Sequence, residues 1–479
     1  MTSALARLII VIALVLGVAA DSLFNIDMPR AGFALWVVVA LGIALVIIER
    51  ATRVETDRRL LVGSGMILAL LLVLRDAPGL YVLDFFAFVV VCALIAWRGL
   101  GRSLMQLEPR DAVIGGAATA AAVGAGAPML ALRDAQAASV SEESRRSIKH
   151  AGCGTIVALP VLLIVLSLLA EADPLFESFV DRAGPFLDGQ FVEHMVFIGA
   201  ASWVTAGAVR GSLLPVGVSA ATFRGTMQLP FSAALPVLGG LAVLLSAWIG
   251  LQVRTLFGGA AYVAETAGMT MAEYARDGFF ELIVLAGIVL AVLVVADDVL
   301  DRAEGRARAS FRMLGQLVIA LVSAVLVSAV GRLSLYVQYF GLTADRVIAL
   351  AILLWVALVL VWFGMTVLRG SRARFAPGVL VISAVWLGAL NLSNPERWVV
   401  TTNVARAVQG REFDVAYHAE LSGDALPTML ATQGRLAPEQ AAALRTAIDR
   451  VWTARAIARP DWRHWSVPYA LGARSLAPR

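Results

Sequence analysis

Of the 39 basic residues in this 479-residue chain only Lys149 is a lysine; arginine supplies the rest. No lysine-rich basic face is available for a phosphate backbone, which argues against nucleic acid as a partner. The two cysteines, Cys92 and Cys153, lie in or beside apolar stretches and match no metal or redox spacing, so a disulfide framework is not indicated. Charged residues are scarce as well, at 15% of the chain, against about 25% in a typical soluble domain. No G-x-S-x-G, H-E-x-x-H or P-loop pattern occurs, and "GAGAP" at 124–128 lacks the strand and third glycine of a dinucleotide fingerprint. The four histidines, His150, His194, His418 and His464, have no ligand spacing and read as polar surface or rim residues. Neither a metal nor a cofactor is implied. Paired, interrupted helices of an inverted repeat do not stand out.

What remains is apolar: 59% of residues are hydrophobic and the mean hydropathy is +0.81, a membrane composition. Runs long enough to cross a bilayer fall near 5–21, 32–48, 60–75, 80–97, 151–170, 191–209, 232–252, 279–296, 313–331, 346–368 and 373–391. The chain therefore reads as an all-α, polytopic transmembrane bundle of about eleven spans. The first run has an early Arg7 and a Val18-Ala19-Ala20 cleavage pattern; an uncleaved span is preferred over a signal peptide. Residues 112–132 are apolar but built from Ala and Gly, which gain little from lipid. They read as an interfacial or bundle-buried segment, with a twelfth span as the alternative.

With the N-terminus placed in the cytoplasm, the inner loops and Arg7 collect 21 Lys and Arg against 7 in the outer loops. A bias that survives eleven alternations supports that orientation. It accounts for the pI near 9.4 better than a polyanionic partner does. Residues 1–148 then form a four-span segment with a cytoplasmic or interfacial loop, 149–391 a seven-span core, and 392–479 a small, mainly helical extracytoplasmic region. In that region "APEQAAALRTAIDRVWTARAIA" predicts an amphipathic helix, with Pro438 in its first turn and Leu444, Ile448, Val451 and Trp452 as its apolar stripe.

The ionisable residues that the spans carry near the outer face are the candidates for function. In "TMAEYARDGFFELIVL", Glu273, Asp277 and Glu281 share one helical stripe with Arg276 nearby, and Thr270 with Glu273 makes a capping-box pattern. Glu273 and Asp277 suit a solvated helix start, whereas Glu281 sits among Phe279, Phe280 and Leu282 and is expected to pair with Arg332 or Arg254. Asp84, Glu171, Asp173, Glu193, His194, Tyr336 and Tyr339 fall at the same depth. Two readings stand: one outer-face polar cluster, or separate interfacial anchors, for which Tyr and Arg are common choices.

Seven stretches carry a family resemblance: "AEADPLF" (170–176), "LQVRTLFGG" (251–259), "MAEYARDGFFEL" (271–282), "RLSLYVQYFGLTADR" (332–346), "NPERWVVTTNVARA" (394–407), "FDVAYHAELSGDALPTML" (413–430) and "DWRHWSV" (461–467). Together they resemble the bacterial membrane family catalogued as domain of unknown function 4173, although Trp-Ser-Val follows His464 where a more Asn/Arg-rich ending belongs. The resemblance implies a multi-pass protein of the bacterial inner (plasma) membrane and supplies no activity. Nearly all of these stretches fall on the outer side or in the tail, where Asn394, Asn403, Asp414, Tyr417, Asp424 and Pro427 stand out. The 413–430 stretch reads as a short helical hairpin, with Asp414, Tyr417, Asp424 and Pro427 at polar or bend positions, acting either in recognition or as a lid packed on the bundle.

The leading functional expectation is a binding or sensory/regulatory membrane protein, with the lipid bilayer and an envelope or membrane protein as partners. A proton- or cation-coupled transporter and a membrane enzyme acting on a lipid or envelope precursor are the alternatives.

Overall fold

In the computed structural model of the chain, residues 2–24, 29–51, 56–96, 109–135, 189–214, 235–252, 279–299, 305–458 and 461–476 are described. Their regular structure is helical, and no strand occurs among the described residues. The apolar runs become α1 (Ser3–Leu23), α2 (Arg30–Ala51), α3 (Thr56–Leu74), α4 (Pro78–Ala96), α5 (Pro109–Met129, continued by a π turn to Asp134), α6 (Gly189–Leu213), α7 (Leu235–Gln252), α8 (Phe279–Val299), α9 (Arg306–Phe340), α10 (Ala344–Thr366) and α11 (Phe375–Ser393). Among the described residues eight helices, α1, α2, α4, α6, α7, α9, α10 and α11, are long and apolar enough to cross a membrane. Each expected span has a helix here except the one near 151–170, which lies outside the described residues. Large apolar side chains face outward along several of them, such as Val327 (72% exposed), Leu244 (69%) and Phe86 (68%). Exposure on that scale fits lipid, not water, as the surrounding solvent.

Contacts at the helix termini fix which ends lie together. Asp21 near the end of α1 meets His194 near the start of α6, and Ala6 and Ile9 of α1 pack with Val209 and Leu213 of α6, so the two run antiparallel. At one end of the bundle Asp297 of α8 binds Arg308 at 2.8 Å and Arg372 at 2.6 Å, and Asp134 binds Arg210 of α6 at 2.6 Å. This arginine end gathers the starts of α1, α3, α9 and α11 with the ends of α2, α4, α6, α8 and α10. The opposite end carries the C-terminal region. Both halves of α5 sit toward the arginine end: Thr119 donates to Ala93 O near the close of α4 at 3.2 Å, and Leu130 packs with Ala6, Ile9, Ile47 and Ile48. Its Ala/Gly composition permits close backbone approach to α6, the use to which membrane helices put small residues.

Two apolar cores lie side by side. Phe24, Phe33, Val37, Ala69 and Leu72 join α1, α2 and α3, whereas Leu293, Phe311, Val322, Leu360 and Phe363 join α8, α9 and α10. They meet where Ala77 and Leu80 pack with Ala351 and Leu390.

Beyond Ser393 the chain leaves the bundle through Asn394, the one described non-glycine residue with positive φ (52°), which caps the next helix by accepting from Arg397 N. The tail comprises α12 (Pro395–Val408), α13 (Val415–Glu420), α14 (Leu426–Thr432), α15 (Pro438–Ala458), a 3-10 turn at Trp462–His464 and α16 (Val467–Leu476). The amphipathic stripe forms as its spacing predicts: Leu444, Ile448 and Trp452 are buried against Val400, Val404, Leu426 and Met429. Val347 of α10 belongs to the same core, so the tail is packed onto the bundle.

The α5–α6 contact is tight enough to test. A Cβ on Gly207 would stand 2.2 Å from Val123 O, whereas one on Gly199, on the same helix, meets nothing within 4 Å. Gly207→Ala is expected to destabilise the purified protein by about 1–3 kcal/mol through overpacking. Gly199→Ala should be neutral or stabilising in the same thermal unfolding experiment.

Candidate functional site

The short link "RDAPG" between α3 and α4 places Arg75 and Asp76 at the tail end, where the backbone N–H groups of Asp76 and Ala77 point toward the tail. Asp424, in the link between α13 and α14, meets them. Its Oδ2 accepts from Asp76 N at 2.5 Å and Ala77 N at 3.0 Å, and its Oδ1 pairs with Arg75 at 3.0 Å. Asn394 Nδ2 donates to the Asp424 carbonyl at 2.9 Å. A carboxylate at the first turn of a helix is doubly favoured, by the unsatisfied N–H groups and by the helix dipole. Here the helix is α4 and the carboxylate comes from the tail.

Asp76 is held from the other side. Arg30, at the start of α2, reaches Asp76 Oδ1 at 3.1 Å, donates to the carbonyls of Leu72, Arg75 and Asp76 at the end of α3, and lies 4.7 Å over the Tyr81 ring. One guanidinium thus closes a helix end and neutralises a buried acid, which the planar five-donor fork of arginine allows and an ammonium does not.

A third acid, Glu396 in the first turn of α12, is 1% exposed. Ser422 gives Glu396 Oε2 both its backbone N–H, at 3.0 Å, and its hydroxyl, at 2.5 Å. Burial raises the Glu396 carboxyl from 4.5 to about 7; the Ser422 hydroxyl opposes this rise, and the nearby Asp424 and Asp76 charges add to it.

A second contact region joins the tail to the α9–α10 turn. Gly341, at φ 83°, ends α9 with Asn403 Oδ1 where a Cβ would be. Asn403 then brackets Leu342, accepting from its N–H at 2.8 Å and donating to its carbonyl at 2.7 Å. The Tyr417 hydroxyl accepts from Ala344 N at 2.8 Å, and Asp414 caps α13 by accepting from Tyr417 N at 2.9 Å. Asn403 also donates to His418 Nε2 at 3.1 Å, leaving Nδ1 to donate to Asp414 O at 2.6 Å, the pattern of a neutral ring. Burial lowers the His418 pKa in the same direction. This corrects its reading as a surface or rim residue: His418 is 2% exposed and stacks on Phe413, its two ring nitrogens satisfied internally.

Of the outer-face residues singled out from sequence, Glu171, Asp173, Arg254, Glu273, Arg276 and Asp277 lie outside the described residues, as does Cys153. Glu193 and His194 are exposed at the start of α6, His194 bonding Asp21 at 2.7 Å. Glu281 is exposed in the first turn of α8, and no ion pair joins it to Arg332. A first-turn acid is already stabilised by the helix dipole, while Arg332 lies 5.8 Å over the Trp248 ring. Tyr336 faces Arg346 (3.9 Å), and Tyr339 is exposed. Asp84 does not join them; it is buried against Asn391 of α11, whose Nδ2 donates to it at 2.9 Å. Pro427 is exposed at the start of α14, and 413–430 folds as two short helices, α13 and α14, with Asp414 and Pro427 at their starts. Among the described residues no group of three His, Cys, Asp or Glu is placed to hold a metal ion.

The acids that matter at the interface, Asp76, Glu396 and Asp424, thus come from segments flanking the spans. The family profile that matches this chain covers the same ground, residues 62–431, from α3 to the end of α14. The chain belongs to the family described as Domain of unknown function (DUF4153). This corrects the number read from sequence, 4173. That resemblance leaned on segments from about 150 onward and included 461–467, whereas the match starts at 62 and stops before that stretch. The broader expectation, a membrane family without an assigned activity, stands. No curated protein and no solved structure matches the chain.

The position of Glu396 fixes a pH dependence. Its folded pKa is raised, so the unfolded chain gives up the proton first, and stability falls as pH rises from 4.5 to about 7. The loss attributable to this group is at most about 3 kcal/mol. Thermal unfolding compared at about pH 5 and about pH 8 should show that slope in the wild type and a flatter one in Glu396→Gln. Equal slopes in the two proteins would show that another group controls it.

Proposed function

We propose that this DUF4153 protein is a binding or regulatory component of the bacterial inner membrane. Its N-terminus is cytoplasmic, and the C-terminal region forms a fixed platform on the extracytoplasmic face. The observation that carries the reading is the Asp424 clamp. Because Arg75, Asp76 and Ala77 grip the tail through buried bonds, the outer surface of the tail is held in one orientation to the bilayer. A rigid scaffold lowers the ordering cost of recognition. Trp398, Trp462 and Trp465 are each about half exposed on this region. Aromatic side chains of this kind suit a headgroup layer or the surface of an envelope or membrane protein. The orientation rests on the arginine-bearing loops at the opposite end. The buried Asp84–Asn391 pair is the specific feature that favours the proton-coupled alternative.

Two measurements test the proposal. In a variant without native cysteines, Glu439→Cys in the tail should react with a membrane-impermeant maleimide on intact spheroplasts, and Arg369→Cys at the arginine end should react only after lysis. The reverse labelling pattern would overturn the orientation. In sealed proteoliposomes, the purified chain should leave an imposed proton gradient intact. Collapse of the gradient in proportion to the protein added would make it a transporter.

A further inference from the structure

Asp84 lies in α4 about 10 Å along the helix from Ala77 and is 1% exposed. Asn391 of α11, 3% exposed, faces it. Asn391 Nδ2 donates to Asp84 Oδ1 at 2.9 Å and to its own helix at Leu387 O, 3.1 Å away. The other two oxygens of the pair, Asp84 Oδ2 and Asn391 Oδ1, are both buried and accept no hydrogen bond among the described residues. Around them α4, α10 and α11 pack through Ala77, Leu80, Ala351 and Leu390. The neighbouring cation, Arg30, is committed to the Asp76 carboxylate, to the carbonyls of Leu72, Arg75 and Asp76 and to the face of Tyr81.

An ionised carboxylate with one oxygen unpartnered in such surroundings is strongly disfavoured. A carboxylic acid is not. A proton on Oδ2 turns one orphan acceptor into a donor, and the second orphan, Asn391 Oδ1, belongs to the same carboxamide whose Nδ2 already donates to Asp84 Oδ1. One added hydrogen satisfies both atoms and closes a ring of two antiparallel hydrogen bonds, N–H···O and O–H···O. We infer that Asp84 and Asn391 form a proton-binding site within the bundle, with Asp84 carried as the neutral acid at neutral pH. The site is independent of what the tail surface binds. The proton enters from water as Asp84 is buried, and no other bond changes.

Infrared spectra of the full chain in lipid at neutral pH test this directly. With carboxyl-13C aspartate incorporated, the wild type should show an acid C=O band that shifts with the isotope. The band should disappear in Asp84→Asn and move to higher frequency in Asn391→Leu, where the hydrogen bond is lost. Asp84→Asn can rebuild the same ring as an amide pair, so it should melt with the wild type, while Asp84→Leu melts lower. An aspartate spectrum containing only carboxylate bands would overturn the inference in the wild type alone, whatever the variants do. A sodium-dependent rise in melting temperature that Asp84→Asn abolishes would also overturn it, by making the pair a metal-cation site.

Discussion

The carboxylate of Asp424 has to be satisfied away from water, and the bundle supplies what it needs from one short link. The backbone N–H groups of Asp76 and Ala77, just before α4, and the guanidinium of Arg75 converge on it, while Arg30 neutralises Asp76 beside it. Removing any one partner leaves a buried charge without compensation, which costs more than the pair contributes when intact. The rest of the tail is arranged around this constraint. Asn394 turns the chain out of α11 and holds Asp424 in place, Glu396 takes up Ser422 next to it, and the core around Trp452 closes over α13 and α14.

The same logic explains the near-absence of lysine. A membrane helix that ends against protein leaves carbonyls that water cannot reach. Here arginines serve them: Arg30 for α3, Arg406 for Gln338 and Tyr339 at the end of α9, Arg455 for Glu420 and Leu421 after α13, and Arg463 for Ser22 of α1. Each bond needs a donor that stays charged and reaches in a plane, properties of the guanidinium. The arginine content is thus partly structural as well as a signature of orientation.

Much of the architecture was legible in the residues. Apolar length located the helices, the 438–458 stripe found its buried face, and Asp414 and Pro427 stand at the helix starts that their chemistry favours. The site was legible only in part. Asp84, Asn394, Asn403, Tyr417 and Asp424 were visible as polar residues in unusual places, but their partners were not. Arg75 fell at the end of the apolar run 60–75, Asp76 in the short gap before 80–97, and Asn391 at the end of the run 373–391. What joins Arg75 to the tail, and Asn391 to Asp84, is a contact across more than 300 positions of chain, to which spacing and periodicity are blind. Of the two partners expected for Glu281, Arg254 lies outside the described residues and Arg332 makes no ion pair with it: common depth in a membrane says nothing about which faces of two helices meet.

The central claim is that the tail and the α3–α4 link form one unit through Asp424. Hydrogen–deuterium exchange on the full chain in lipid nanodiscs tests it most directly, comparing the wild type with Asp424→Ala. The account predicts slow exchange in the wild type at residues 75–77 and across α12 to α14. It also predicts that exchange at both places rises together in the variant while α10 stays protected. Unchanged protection at 75–77 when Asp424 is removed, or rapid exchange of the tail already in the wild type, would contradict it.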